Sequence, residues 1–366
     1  MEKINSQTIL FSGGGTGGSV TPLLAIATEL ISERSDLNLI FVGASIGPER
    51  ELIANFKDKP IKFLAIPSGK WRRYFSIYNF LDIFKIIAAF FKSLGILQRE
   101  KPDLVISAGS FVSVPLVLAA ACRRIPILIH QQDIRPGLAN KLMAPFARVI
   151  TVTFEKSLID YGPRAVLTGN PLKDISAYKA NVLDTRRQYD FKIEEPLVLV
   201  IGGGTGAGAL NKLIAESLSD LLPVCQIIHL TGYGKKTIID NKNNNYHPFE
   251  FLDQNEVLRL MAAADLIVSR CGLGALTELS ALGKAAILIP MPHSHQEDNA
   301  SFFKAHAAAI VLNQNDLSAK LLSSEIKRIL VDTKLRGSLS QNIAKVMKPL
   351  AAQNIAAIIW EIIKIK

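Results

Sequence analysis

Two glycine-rich stretches have the residue types and spacing to hold a phosphate or another ligand oxygen. FSGGGTGGSV covers residues 11–20 and IGGGTGAGAL covers 201–210, and each follows an apolar run that predicts a strand. Glycine has no Cβ, so a ligand can approach its backbone N–H groups closely. A helix that begins after such a loop adds unpaired N–H groups and a partial positive charge. We interpret both loops as ligand cradles, although a tight strand-to-helix turn would by itself explain either one.

Two familiar nucleotide-binding motifs fit these loops poorly. Neither loop ends in the Gly-Lys-Ser/Thr of a Walker A motif. The dinucleotide fingerprint G-x-G-x-x-G, with its G/A variant, fits Gly13, Gly15, Gly18, Gly202, Gly204 and Ala207. That fingerprint also needs an acidic residue after the second strand to bind the ribose. The sequence shows none where those second strands are predicted to end, so a dehydrogenase is the weaker interpretation.

A third turn of small residues, SRCGLGALTE at 269–278, also follows a predicted strand and begins a helix. The N-terminus of that helix is suited to a diphosphate. Glu278 is either a solvated helix residue or a carboxylate that accepts from a ligand's vicinal hydroxyls. In the polar loop that follows the next strand, His293 and His295 have no third ligand at a suitable spacing, so we expect no metal.

Short β-branched runs alternate with helix-period segments in the rest of the chain, which predicts parallel sheets built from βαβ units. The predicted fold class is α/β, with two doubly wound domains that each begin with a strand, a glycine loop and a helix. The pattern breaks near 168–171, and the polar run 241–247 is predicted to be a surface loop. The predicted strands are 8–11, 38–42, 104–107, 126–130, 149–152, 197–201, 226–230, 266–269 and 286–290.

The composition indicates the charge of the binding partner but does not identify the partner. The formal net charge of +10 over 366 residues favours an anionic partner. The chain has no recognised DNA- or RNA-binding motif, so we expect no nucleic acid. The aromatic and basic stretch at 70–101 predicts docking to an anionic lipid surface. The alternative is a pair of helices whose apolar faces enter the core, and it accounts for part of the stretch.

Together these stretches resemble the MurG family of GT-B-fold glycosyltransferases, which add N-acetylglucosamine to lipid-linked muramyl-pentapeptide. The resemblance runs in order along nearly the whole chain. The matching stretches are GGGTGGSVTPLLAIA at 13–27, SAGSFVSVP at 107–115, IHQQDIRPGLANK at 129–141, TGNPLK at 168–173, IGGGTGAGALN at 201–211, FLD at 251–253, SRCGLGALTELSALG at 269–283 and HQEDNA at 295–300.

The resemblance implies a GT-B fold, in which two Rossmann-like domains with parallel sheets face each other across a cleft. Residues 1–168 would form the acceptor- and membrane-binding domain, and 169–349 the UDP-sugar domain. The helix at 350–366 would pack back on the first domain.

The resemblance also implies the donor-binding positions. Leu252 would meet the uracil through its backbone, and Glu278 would bind the ribose hydroxyls. The other positions would serve the phosphates and the sugar. Gly272, Leu273, Gly274, Ala275, Leu276 and Thr277 would cradle the diphosphate, Gly204 and Thr205 would line the cleft, Lys173 would add positive charge, and Gln296 and Asn299 would face the sugar hydroxyls.

On the acceptor side, Thr16, Gly17, Gly18 and Asp133 would approach the transferred sugar and the acceptor. The family usually has a histidine where this chain has Ser19, and His-Glu-Gln-Asn where this chain has HQQD at 130–133. An inverting transfer needs a base for the acceptor hydroxyl. The catalytic candidates are Asp133 as that base, His130 as the runner-up, and Ser19. Serine is also common at Gly204, and arginine at Lys173.

The expected reaction joins N-acetylglucosamine from UDP-N-acetylglucosamine to the muramyl 4-hydroxyl of lipid I, giving lipid II and UDP with inversion. No Asp-x-Asp motif is evident, so backbone dipoles and cations would stabilise the leaving diphosphate without a metal cofactor. The expected place is the cytoplasmic side of the inner membrane, peripherally bound, with cell-wall synthesis proteins as further partners. The alternatives are a GT-B transferase with a different lipid acceptor, or a nucleotide-binding protein without transferase chemistry.

Overall fold

The computed structural model describes residues 6–67, 77–202, 207–235 and 243–364, with the side chains of 77–83 excepted. The chain divides into two compact units, Met1–Lys173 with Lys348–Lys366, and Asp174–Met347. The linking segment after 168 belongs to the first unit because the N–H groups of Thr168 and Gly169 donate to Val152 O. The division therefore lies at 173/174, beyond the predicted 168/169.

A seven-stranded parallel sheet forms the first unit, in the order β3-β2-β1-β4-β5-β6-β7. Its central strands are nearly continuous runs of buried apolar residues, as expected for a sheet covered on both faces. The order reverses between β1 and β4, so the loops after these strands flank the crevice where ligands bind in such sheets. The strands are β1 (Thr8–Ser12), β2 (Asn38–Ala44), β3 (Lys62–Ile66), β4 (Leu104–Ser107), β5 (Ile127–Gln131), β6 (Val149–Val152) and β7 (Ala165–Leu167).

Helices cover both faces of this sheet and enclose two separate apolar cores. The helix Ala351–Lys364 belongs to this unit, where Ile355 and Ile359 are fully buried in the core that also contains Leu23 and Ile26. The helices are α1 (Thr21–Glu33), α2 (Glu49–Ala54), α3 (Ile77–Glu100), α4 (Ser113–Cys122), α5 (Leu138–Met143), α6 (Ser157–Tyr161) and, at the C-terminus, α15 (Ala351–Lys364).

A six-stranded parallel sheet forms the second unit, in the order β10-β9-β8-β11-β12-β13. Here the order reverses between β8 and β11. Its strands are β8 (Leu197–Ile201), β9 (Gln226–Leu230), β10 (Tyr246–Phe249), β11 (Leu266–Ser269), β12 (Ala286–Leu288) and β13 (Ile310–Val311). Its helices are α7 (Ser176–Ala180), α8 (Val182–Gln188), α9 (Gly208–Leu221), α10 (Gln254–Ala263), α11 (Leu273–Leu282), α12 (Gln296–Ala305), α13 (Ala319–Val331) and α14 (Thr333–Val346).

One stretch among the described residues, Thr333–Lys364, is long and apolar enough to cross a membrane by length and composition, with a mean hydropathy of 1.3. It consists of α14 and α15, which are separated at 347–350. Because α15 packs its isoleucines into the first unit's core, we regard this stretch as part of the fold.

The sequence predicted all nine of its proposed strands in the right places and missed four others that lie in the described part of the chain. The run 241–247 is a loop only in part, because Tyr246 and His247 begin β10. Tyr246 is 4% exposed, and its hydroxyl lies 3.0 Å from His229 Nδ1. These contacts fix the start of an edge strand that the polar composition of the run does not reveal.

Candidate functional site

The glycine loop after β1 is closed on itself by Ser19. The Ser19 hydroxyl accepts from Gly14 N at 2.9 Å and donates to Gly14 O at 3.0 Å. Ser19 is only 9% exposed, so the hydroxyl lies inside the loop and is not available to an acceptor. The catalytic candidate Ser19 is therefore reassigned to holding the loop. Thr16 and Gly18 are exposed and Gly17 is partly exposed, which leaves the outer part of the loop accessible.

A completely buried carboxylate, Glu49, lies beneath the same loop. Its Oε2 accepts from Gly15 N at 3.2 Å, and its Oε1 accepts from Ala44 N at 2.9 Å. Glu49 lies beyond β2, at the start of α2, so it is not the carboxylate that the dinucleotide fingerprint requires at the end of the second strand. This acid binds backbone N–H groups and does not point at a ribose. Glu49 therefore does not support the dinucleotide interpretation. The sequence signal for this buried acid was the pair Gly43 and Gly47, which precede it and leave room for its side chain.

The turn after β4 contains a strained residue that the sequence analysis did not single out. Ser110 has a φ of 83° and Gly109 a φ of 96°, both in the left-handed region. For serine this conformation is uncommon, and such strain often marks functional loops. Ser113 Oγ donates to Gly109 O at 2.9 Å and accepts from Ser12 Oγ at 3.0 Å, which ties this turn to the end of β1.

Asp133 is partly exposed in the loop after β5. The loop is held by Gln131, whose Nε2 donates to Asp133 O at 2.6 Å. Gln131 is 2% exposed, so the glutamine that replaces the family's glutamate lies under the loop. Of the three catalytic candidates, Asp133 is partly exposed, whereas Ser19 and His130 are buried.

His130 is completely buried, which contradicts a role as the base. Its Nδ1 lies 3.0 Å from Thr151 Oγ1, and its Nε2 lies 3.0 Å from Asn170 Oδ1. Burial lowers the pKa of His130 to about 4, and the two hydrogen bonds only partly oppose this. Both ring nitrogens are occupied, so His130 connects β5, β6 and the segment after β7.

Lys173 pairs with Asp58 instead of standing free for a phosphate. Lys173 Nζ lies 3.0 Å from Asp58 Oδ1, and Thr28 Oγ1 donates to the other carboxylate oxygen. The predicted positive charge is therefore neutralised in this structure. Gly204 and Thr205 lie outside the described residues.

In the second unit, residues 272–277 form the turn after β11 and the first turn of α11, and we call this segment the cradle. Gly272 caps the helix, and a Cβ added at Gly272 or Gly274 would meet nothing within 4 Å. Leu273 and Leu276 are buried, Ala275 is partly exposed, and Thr277 Oγ1 donates to Leu273 O at 2.7 Å. The cradle therefore offers backbone N–H groups and the positive end of the α11 dipole to an anion.

Glu278 and the segment after β10 come together at this cradle. Gln254 Nε2 donates to Glu278 Oε1 at 3.1 Å, and Leu252 lies two residues before Gln254. Burial raises the pKa of Glu278 to about 7, although the bond from Gln254 opposes the shift. Asp253 caps α10 with a capping box, which fixes the backbone next to Leu252. The structure thus connects Glu278, the predicted ribose position, to Gln254, which lies two residues after the predicted uracil position Leu252.

Gln296 and Asn299 bond the backbone N–H and C=O groups of Cys271, the residue before the cradle. Gln296 Oε1 accepts from Cys271 N at 3.2 Å and from Met291 N at 3.1 Å. Asn299 Nδ2 donates to Cys271 O at 3.2 Å, and Asn299 is completely buried. Asn299 therefore has no surface for a sugar hydroxyl, and we reassign it to supporting the cradle, whereas Gln296 remains partly exposed.

Arg270 is a cation at this edge that the sequence analysis did not name. It donates to Ile289 O at 3.0 Å and Pro290 O at 3.2 Å, and it also bonds Gln314. Burial lowers the pKa of Arg270, but its guanidinium stays charged near neutral pH. It adds positive potential beside a predicted diphosphate site. Among the described side chains, no group of three His, Cys, Asp or Glu could hold a metal ion.

Comparison with known families finds one match that lies within the first unit and a second that covers most of the second unit and continues into α15. Residues 9–152 match the glycosyltransferase family 28 N-terminal domain, and residues 197–355 match the glycosyltransferase family 28 C-terminal domain. Both glycine loops, Asp133 and the cradle fall inside these ranges.

Two bacterial proteins and one solved structure are similar over most of the chain. The Clostridium kluyveri protein named UDP-N-acetylglucosamine--N-acetylmuramyl-(pentapeptide) pyrophosphoryl-undecaprenol N-acetylglucosamine transferase is 38% identical over 328 residues, which cover 88% of this chain and 91% of that one. A protein of the same name from Clostridium botulinum is 37% identical, covering 87% and 90%. The crystal structure of Acinetobacter baumannii MurG has a TM-score of 0.76 at 25% identity, covering 97% of this chain and 99% of that one.

Proposed function

The chain belongs to glycosyltransferase family 28 and, within it, to the MurG transferases, and from this premise we propose its reaction. It transfers N-acetylglucosamine from UDP-N-acetylglucosamine to the muramyl 4-hydroxyl of undecaprenyl-diphospho-MurNAc-pentapeptide, lipid I. The products are lipid II and UDP. The observation that carries this proposal is the open cradle of Gly272 and Gly274 beside Glu278 and Leu252.

The cradle and its neighbours suit a uridine diphosphate-sugar. The first turn of α11 binds the diphosphate through backbone N–H groups, and Arg270 adds positive charge. Ionised Glu278 accepts from the ribose hydroxyls, and the backbone at Leu252 meets the uracil. As the C1–oxygen bond breaks, its electron pair leaves with UDP, and these same groups stabilise the growing negative charge without a metal ion.

On the acceptor side, Asp133 takes the proton of the muramyl 4-hydroxyl while the oxygen forms its bond to C1 of the donor sugar. A general base of this kind contributes about 10²–10⁴-fold to a rate. The partial exposure of Asp133 supports this role, whereas Ser19 and His130 are buried. Exposed Thr16 and Gly18 lie in the loop that would approach the sugars.

The decisive experiment incubates the protein with labelled UDP-N-acetylglucosamine and a short-chain lipid I analogue. We expect UDP release in equal amount to a new disaccharide product, and only when the acceptor is present. UDP release without acceptor, or no disaccharide at all, would contradict the transferase proposal.

We also propose that the first unit binds anionic lipid peripherally, on the cytoplasmic side of the inner membrane. On α3, the apolar residues Phe84, Ile87 and Phe91 are exposed, and Lys85 and Lys92, which directly follow Phe84 and Phe91, are exposed as well. The predicted stretch at 70–101 lies in part outside the described residues, and this exposed stripe belongs to its described part.

A second exposed stripe lies on α5 and the turn after it. Leu138, Leu142 and Phe146 are exposed, with Lys141 beside them. Both α3 and α5 pack on α4 over the same core, so they belong to one side of the sheet. An apolar surface bordered by cations suits an anionic membrane.

Liposome co-sedimentation tests this surface. We expect binding to vesicles that contain anionic lipid, weaker binding in high salt, and loss of binding in Phe91→Ser. Val331→Ser changes a similarly exposed apolar residue in the second unit and should bind like the unsubstituted protein. Binding that is indifferent to lipid charge and salt would contradict the proposal.

A further inference from the structure

The side chain of Gln131 uses both ends of its amide in hydrogen bonds. Its Nε2 donates to Asp133 O at 2.6 Å and lies 3.5 Å from Arg135 O. Its Oε1 accepts from Asn140 Nδ2 at 2.7 Å and from Tyr161 Oη at 2.9 Å. Gln131 is 2% exposed, so solvent has little access to this arrangement.

A neutral group with a donor at one end and an acceptor at the other is needed here. An ionised carboxylate has acceptors only, so it would place an oxygen against Asp133 O without a proton between them. It would also be a buried charge whose second oxygen has no donor. Glutamine at position 131, where the family usually has glutamate, therefore supplies the hydrogen-bond donor that Asp133 O needs.

Other elements fix the same loop from the outside. Gln132 Nε2 donates to Ala108 O at 3.1 Å, and Ser157 Oγ donates to Ile134 O at 3.2 Å. Gln131 adds a bond from the inside of the loop, to the carbonyl group of Asp133.

We propose that Gln131 is a positioning residue whose neutral carboxamide fixes the Asp133 backbone, and through it the direction of the Asp133 carboxylate. This inference rests on the transferase function proposed above and on Asp133 as its base.

The charged and titratable groups around Gln131 come from several elements. Tyr161 on α6 bonds Gln131 directly, and burial, with Asp160 nearby, raises its pKa, so the hydroxyl remains a donor near neutral pH. His130 on β5 bonds Thr151 and Asn170, and Asn140 on α5 is neutral. Asp133 and Arg135 present their carbonyl groups to Gln131 and carry charged side chains in the same loop.

The test compares Gln131→Glu with Gln131→Leu in the lipid I analogue assay. A protonated glutamic acid keeps one donor and one acceptor, whereas the ionised form keeps no donor. We expect the Gln131→Glu rate, divided by that of the unsubstituted protein, to fall at least about tenfold between pH 5.5 and 8. Gln131→Leu has no hydrogen-bonding group and should be slow at every pH, with an unchanged donor KM in both variants.

A ratio that does not change with pH, or a normal kcat in Gln131→Leu, would overturn the inference. If either variant fails to fold by thermal unfolding, Tyr161→Phe replaces it. That change removes one donor to Gln131 Oε1 and should lower kcat a few-fold with donor KM unchanged, and an unaltered kcat would overturn the inference. An inactive unsubstituted protein would overturn the transferase proposal and this inference together, so the two failures are distinguishable.

Discussion

The glycine-rich turns of the two units differ in what lies where a Cβ would be. In the first unit, a Cβ on Gly14 would lie 2.5 Å from Glu49 Oε1, and a Cβ on Gly13 would lie 2.5 Å from Ser19 O. In the second unit, a Cβ on Gly272 or Gly274 would meet nothing within 4 Å. At Gly13 and Gly14 the protein's own atoms fill the space where a side chain would begin, whereas Gly272 and Gly274 face open space where a ligand can bind. Similar composition therefore arises from two physical causes.

Asp133 in the first unit and Glu278 in the second should differ in role, because Asp133 acts on the rate and Glu278 acts on donor binding. The largest expected effect is that of Asp133→Asn, which removes the proposed base. We expect kcat to fall about 10²–10⁴-fold while the donor KM changes less than about twofold. Steady-state kinetics with the lipid I analogue measures both. Asp184→Asn, which changes a carboxylate that is 76% exposed in the second unit, is the control. A near-normal kcat in Asp133→Asn would eliminate this base.

Glu278→Gln should act on donor binding instead. Loss of a charge-assisted hydrogen bond, worth about 1.5–3 kcal/mol, should raise the Kd for UDP by about 10–100-fold. Since burial raises the pKa of Glu278 to about 7, UDP affinity of the unsubstituted protein should increase as pH rises through 7. Calorimetric titration between pH 6 and 8 measures this. An equally steep pH dependence in Glu278→Gln would exclude Glu278 as its source.

The stability effect of Glu278 has the opposite sign. A carboxyl group whose folded pKa is raised stabilises the fold fully below its unfolded pKa, and that contribution is lost as pH rises through the folded value. The free energy of unfolding should therefore fall between about pH 5 and pH 8, while UDP affinity rises. Glu278→Gln should flatten the first trend as well as the second.

The sequence predicted the inner strands of both sheets, and the strands it missed are the four sheet edges: β3, β7, β10 and β13. Inner strands such as LVLVI at 197–201 are buried throughout, so their apolar runs are continuous. Edge strands are half exposed, and β10 even contains Pro248, which a sheet tolerates mainly at its edges. Each edge strand pairs with only one neighbouring strand, and local composition does not record that pairing.

The sequence indicated the parts of the candidate site that would use backbone groups, and it indicated less well which side chains face a ligand. The glycine cradle and Glu278 follow from strand, turn and helix signals within ten residues. Whether Ser19, His130 or Asn299 faces a ligand depends on burial, which only the folded arrangement decides. Glu49 was missed for the same reason, because it reaches Gly15 across 34 residues of sequence.

Paired alanine substitutions sharpen the contrast between the two kinds of glycine. In Gly47→Ala, the new methyl would overlap the Glu49 carboxylate, and overpacking of this kind costs about 1–3 kcal/mol. Gly274 lies inside α11 with open space beside it, so Gly274→Ala should stabilise the fold by about 0.5–1 kcal/mol. The same methyl should weaken UDP-N-acetylglucosamine binding. Urea unfolding and donor titration measure both, and equal stability changes in the two variants would contradict the distinction.

A pH-dependent effect on stability concerns a feature that the two units share. His130 on β5 and His229 on β9 are both completely buried, and both rings are bonded at each nitrogen, with Asn170 and Asn211 as the partners of Nε2. Burial lowers the pKa of each histidine to about 4. Each therefore stays neutral in the fold at a pH where the unfolded chain, with an ordinary histidine pKa, already binds a proton.

For a histidine with a lowered folded pKa, stability is fully present above the unfolded pKa of about 6.5 and is lost as pH falls toward 4. Each histidine should reduce the free energy of unfolding by about 1 kcal/mol per pH unit in this window. His130→Gln and His229→Gln should each make the loss shallower by a similar amount, measured by urea unfolding at pH 4.5, 5.5 and 6.5. If only one of them does so, the two histidines differ in burial in solution, and the likeness between the units ends at their strands.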